Sequence, residues 1–151
     1  MRKEKCALQE DRIEEILEQG EYGILALCAG KKPYAVPMNY VYKNKSLYFH
    51  GAKVGLRYDY IQFNDQASFC VIDHAIDRPD LFSTDYASVI VNGTVELVKE
   101  EEEIKEGLFA LIEHLAPQRI EDGKAYIDRA WENTAVFKLN IQEWSGKERK
   151  R

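Results

Sequence analysis

Three runs of β-forming residues, each cut by a turn-like break, lie between Tyr22 and Gly51: YGILALCAGKKPYAVPMNYVYKNKSLYFHG. Alternation with period two sends successive side chains to opposite faces, so such a run covers a core on one side. In the first run Ile24, Ala26 and Cys28 alternate with Leu25 and Leu27. The breaks, AGKK and KNKS, are too short for a crossover helix, so the runs are predicted to pair antiparallel as a three-strand meander. Pro37, in the middle run, has no N–H for a ladder, which confines that run to a sheet edge or a bulge.

The flanking sequence adds helices and more strands. DRIEEILEQ sets Ile13, Ile16 and Leu17 on one helical face, and Gly20 ends it. GLRYDYIQFN suits a short helix with Leu56, Tyr60 and Ile61 on one side. QASFCVID is predicted as the fourth strand and HAIDRPDLFST as a polar loop. YASVIVNGTVELV is a long β-rich run in which Gly93 marks a bulge or a close backbone approach. EEEEIKEGLFALIEHL is amphipathic, with Ile104, Leu108, Leu111, Ile112 and Leu115 as its stripe and acids in its first turn. A further helix is expected over roughly Gly123–Trp131, and TAVFKLNIQEW alternates as the last strand. The expectation is a mainly β fold of about six antiparallel strands with flanking helices, closed into a small barrel that removes the sheet edges. The 151 residues suit one domain, with residues 1–10 and 146–151 frayed.

Composition narrows the function. A net charge of -5 disfavours a general nucleic-acid binder, which needs a basic face. Cys6, Cys28 and Cys70 are widely spaced and odd in number, which fits reduced thiols and neither a disulfide framework nor a zinc site. The start, MRKEKCALQEDRIEEILEQ, is charged throughout and lacks an apolar signal core, and no window has the apolar length of a membrane span. A cytoplasmic protein is expected.

Within this acidic chain, LYFHGAKVGLRYDY concentrates His50, Gly51, Ala52, Lys53, Gly55 and Arg57 in one strand-to-helix turn. A phosphate needs donors and positive charge. Helix-start N–H groups and an arginine fork supply both, and glycines let the backbone come close. The same residues also fit a plain turn with exposed cations. His50 could contact a cofactor or transfer a proton near neutral pH, or be a surface histidine. In VPMNYVY, Pro37 leaves neighbouring backbone groups of Val36, Met38 and Asn39 free to face a flat ligand, or the segment is an edge strand with a packed methionine. His74 and His114 show no partner in the sequence, and Glu100–Glu103 is most simply a solvated helix start.

YGILAL, KPYAVPMNYVYKNKSLYFHGAKVGLRYDYI, FSTDYASVIVNGTVELV and NTAVFKLNIQEWSGKERK together resemble the flavin-binding split-barrel proteins related to pyridoxamine 5'-phosphate oxidase. The combination of VPMNY with YFHGAKVG is most similar to the nitroimidazole-resistance branch. The resemblance spans about Asp11 to Lys150. It implies a split β-barrel homodimer with FMN at the subunit interface. Val36, Pro37, Met38 and Asn39 would line the isoalloxazine ring. Phe49, His50, Gly51 and Ala52 would run beside the ring and ribityl chain, and Lys53, Gly55 and Arg57 would hold the phosphate. Oxidase relatives carry Ser-Arg-Lys where this chain has Gly55-Leu56-Arg57, and a flavin-contacting Gln where it has Ser88. The oxidase's substrate-gripping residues are not found near the C-terminus, so pyridoxamine-phosphate oxidation is not expected. The implied activity is FMN-dependent reduction of a small acceptor, such as a nitroaromatic (nitroimidazole) compound, with NAD(P)H as donor and His50 near the acceptor. The alternatives are a non-enzymatic flavin- or haem-binding module, with His50 as haem ligand, and a barrel dimer with an empty pocket.

Overall fold

Short connections dictate the pairing. Gly30, at φ 61°, sits in the two-residue turn between β1 (Tyr22–Ala29) and β2 (Lys32–Asn39). Asn44 and Lys45, both at positive φ, form the two-residue turn between β3 (Val41–Lys43) and β4 (Ser46–Ala52), as a type I′ hairpin requires. The computed structural model describes residues 4–150. The remaining elements are α1 (Glu10–Gln19), α2 (Leu56–Phe63), β5 (Gln66–Arg78), β6 (Ser83–Leu97), α3 (Glu101–Leu115), α4 (Ile120–Ala130) and β7 (Thr134–Arg149).

The strands form one antiparallel sheet in the order β2-β1-β5-β6-β7-β4-β3. It has seven strands where about six were expected. The middle run splits at Tyr40, and its two halves lie at opposite ends of the sheet order. The three-strand meander is therefore replaced by two hairpins. Strands joined by a single residue can sit at opposite ends only if the sheet curls until its ends approach, which is the expected barrel in split form: no ladder among the described residues joins β2 to β3, so closure does not remove the sheet edges. Tyr40 is wholly buried at this seam. Its hydroxyl donates to the Leu17 carbonyl at 2.8 Å and its N–H to the Glu21 carbonyl at 3.1 Å. β2 is an end strand, as Pro37 requires.

Three further expectations are corrected. The segment from His74 to Thr84 is mostly a hairpin: β5 runs on to Arg78, a short turn spans Pro79–Leu81, and β6 begins at Ser83. Arg78 Nε donates to the buried Asp85 carboxylate at 2.7 Å across this hairpin. At the C-terminus, Gly146–Arg149 continue β7 on ladder rungs with Tyr86–Val89 instead of fraying. Leu8 is held against them by an N–H bond to the Gly146 carbonyl at 3.0 Å, whereas residues 1–3 and 151 lie outside the described residues. α4 starts at Ile120, ahead of the expected Gly123.

Inside the curled sheet, Leu25, Leu47, Phe49, Phe69, Val89, Val91, Phe137 and Leu139 form the main core, to which α1 adds Ile13, Ile16 and Leu17. α3 and α4 bury a second cluster against Val41, Tyr48 and Val136. Gly93 is both a bulge and a close approach. The β6–β7 register shifts between Asn92 and Gly93, and a Cβ on Gly93 would lie 1.9 Å from the Asn140 carbonyl oxygen. Among the described residues, no helix is long and apolar enough to cross a membrane.

Candidate functional site

β4 delivers the chain to the site and α2 leads it away. Between them Gly55 adopts φ 109°, a conformation that L side chains rarely take. Gly55 caps α2 from outside. Its carbonyl accepts from Asp59 N–H at 3.0 Å, and no side chain bonds the free N–H groups of the first turn.

Arg57, in that first turn, folds back over the sheet. Its Nη1 donates to Met38 Sδ at 3.1 Å, and its guanidinium lies 5.9 Å from the centre of the Phe137 ring. A Cβ built on Gly51 would fall 2.0 Å from Arg57 Nη2. Arg57 Nε is buried and has no hydrogen-bond partner among the described residues. Four elements thus converge: β2 through Met38, β4 through Gly51, β7 through Phe137 and α2 through Arg57.

His50, one residue before Gly51, is exposed. Its pKa is nevertheless lowered from the usual 6.5, first by the desolvating protein around the ring and second by the positive charge of Arg57. The imidazole is therefore neutral at pH 7.

The other expected residues divide. Pro37 and Asn39 are exposed on the end strand, and Asn39 Nδ2 donates to the Glu21 carbonyl at 3.1 Å; Val36 packs on the core. The Phe49 side chain is fully buried, with its ring 5.1 Å from that of Phe69, so only its backbone could meet a ligand. Ala52 is exposed at the end of β4. Lys53 Nζ donates to the Glu132 carbonyl just before β7. The two cations have different partners: Arg57 lies over Gly51 of β4 and the Phe137 ring, and Lys53 bonds the chain just before β7. Ser88 is remote within one chain. It sits opposite Lys147, whereas Gly51 sits opposite Ala135, so roughly 40 Å of strand separates the two rungs along β7.

An oxyanion suits this arrangement. Uncapped helix N–H groups, a held guanidinium with one orphan donor and two glycines supply donors, charge and access. The exposed end strand β2 alongside can meet the edge of a flat ring with backbone groups. Phe137 and Glu132 were missed from the sequence. Phe137 was visible as a core position of the last strand, but nothing local tied either residue to a segment about 80 positions earlier. A separate open depression of about 630 Å³ lies on the outer sheet face over Ala26, Ser68, Asn92 and Glu143, away from Arg57.

Known proteins agree with the architecture. Residues 9–148 match the family model described as pyridoxamine 5'-phosphate oxidase. No curated protein matches the chain in sequence. Among solved structures, a candidate 5-nitroimidazole antibiotic resistance protein from Bacteroides thetaiotaomicron is 26% identical, with TM-score 0.79, covering 93% of this chain and 85% of that one. The flavocytochrome Anf3 from Azotobacter vinelandii is 22% identical with TM-score 0.84, covering 100% of this chain and 72% of its own. The FAD and heme binding protein from Mycobacterium smegmatis is 21% identical with TM-score 0.84, covering 98% and 75%. These last two likenesses concern the fold alone. With the split-barrel sheet, the flanking helices and a family match from near the N-terminus to Glu148, the chain belongs to the pyridoxamine 5'-phosphate oxidase family.

Proposed function

We propose that this protein binds FMN and reduces a small acceptor, such as a nitroaromatic compound, with a reduced nicotinamide as donor. The observation that carries the reading is Arg57, a guanidinium held over Gly51 beside an uncapped helix start, with a buried Nε–H that has no partner among the described residues. Arg57, Gly55 and the first-turn N–H groups of α2 would hold the phosphate, with Lys53 at the rim. β2 from Val36 to Asn39 would present backbone groups to the ring. Flavin, when bound, supplies the redox chemistry; the protein supplies orientation and the local field. His50, exposed and neutral, can donate an N–H hydrogen bond to an acceptor molecule. Full proton transfer from an imidazolium at pH 7 is disfavoured by its lowered pKa.

The site is completed by a second copy in this reading. Ile24, Ile72 and Ile90 are exposed on the outer faces of β1, β5 and β6, next to Cys70 and Ser88. Covering that face with another chain would bury it and bring the partner's Ser88 toward the flavin. The test is nicotinamide-driven reduction of a nitroimidazole by FMN-loaded protein. His50→Ala is expected to lower turnover about tenfold, the worth of one hydrogen bond, with FMN retained. Unchanged turnover would remove His50 from the reaction.

A second reading, a non-enzymatic flavin or haem module, is favoured by the same histidine. A neutral, exposed imidazole is the form that binds iron. A Soret band that appears on haem addition and is lost in His50→Ala would support it.

A further inference from the structure

Gly51 stands in the stretch expected to run beside the ring and ribityl chain, yet its observed neighbour is a side chain of this protein. The nearest three atoms to a Cβ at this position all belong to the Arg57 guanidinium: Nη2 at 2.0 Å, Cζ at 2.9 Å and Nε at 3.4 Å. Gly51 has no positive φ, so its backbone would accept a side chain; what excludes one is Arg57. The seat has walls as well as a floor, with Met38 Sδ accepting from Nη1 on one side and the Phe137 ring on another. A freely solvated arginine would lie outward and satisfy Nε with water. Here Nε is buried without a partner, so the seat fixes the guanidinium against its own solvation.

We propose that Gly51 is a positioning residue that seats Arg57, and that this seat makes the site select phosphorylated flavin over riboflavin. The inference rests on the reading that the site holds a flavin phosphate. Alanine at 51 would meet only the far end of a flexible side chain, so the fold should survive while Arg57 is pushed off the strand.

The experiment is a double-mutant cycle of Gly51→Ala and Arg57→Ala, titrating each protein with FMN and with riboflavin by quenching of flavin fluorescence. Gly51→Ala should weaken FMN about tenfold and leave riboflavin unchanged. On the Arg57→Ala background it should cost nothing further for either flavin. Equal weakening of both flavins, or an unchanged FMN affinity, would overturn the proposal, since Gly51 would then contact the ring or contribute nothing. A separate readout needs no flavin. The buried Arg57 Nε–H should give a protected NMR resonance in the native protein and lose it in Gly51→Ala. If that resonance persists unshifted, Gly51 does not seat Arg57. If native protein binds neither flavin while the resonance behaves as expected, the seat stands and the flavin reading falls.

Discussion

His50 and Arg57 are coupled electrostatically. Desolvation is the larger cause of the lowered His50 pKa and Arg57 the smaller. Removing the charge with Arg57→Ala should raise the His50 pKa while leaving it below the usual 6.5, because the desolvation remains. An NMR titration of the three histidines checks this; an unmoved His50 would mean the two groups do not interact. The shift has a consequence for stability. A histidine with a depressed folded pKa contributes stability that is full above its unfolded value near 6.5 and is lost as pH falls through the folded value, because the unfolded chain takes up the proton first. His50→Gln should therefore flatten the acid side of the stability curve as pH falls below 6.5, read from urea midpoints.

At the scale of elements, the β6–β7 bulge is held by a contact that tolerates no side chain. A Cβ on Gly93 would strike a main-chain carbonyl, which cannot swing away as the Arg57 side chain can. Gly93→Ala should cost about 1–3 kcal/mol in urea denaturation. A neutral result would mean that the strands can shift apart at the bulge. This bulge was legible in the sequence, as were the α1 and α3 stripes and the core face of β7, because each rests on local periodicity or on one glycine. What was not legible shares a physical cause. The split at Tyr40 keeps the alternation intact across two strands, so only long-range pairing separates β2 from β3. His74–Arg78 and Ser83–Tyr86 form a hairpin in which Asp85 alone is buried, so its two strands carry no apolar alternation to read. The charged tail after Trp144 is paired because β6 is long enough to receive it. At the site, the cluster of Gly51, Gly55 and Arg57 was visible as composition. The redirection of Lys53 to Glu132 and the support of Arg57 by Phe137 depend on β7 lying beside β4.

For the whole molecule, the curled sheet leaves an apolar stripe on its outer face, where Ile24, Cys70 and Ile90 occupy one continuous rung. A homodimer built on this face should run at twice 17.5 kDa in light scattering, and Ile90→Asp should shift it to the monomer by burying an unpaired charge. A native protein at 17.5 kDa would rule out the shared site and leave Ser88 with no flavin to meet. The turn between β4 and α2 is the proposed seat of a cofactor phosphate. The most direct measurement is the visible absorption spectrum of the protein after incubation with excess FMN and removal of free flavin, followed by identification of what denaturation releases. Paired flavin bands, about one FMN released per chain, and loss of both in Arg57→Ala are the expected result. A colourless protein that takes up no FMN would contradict it.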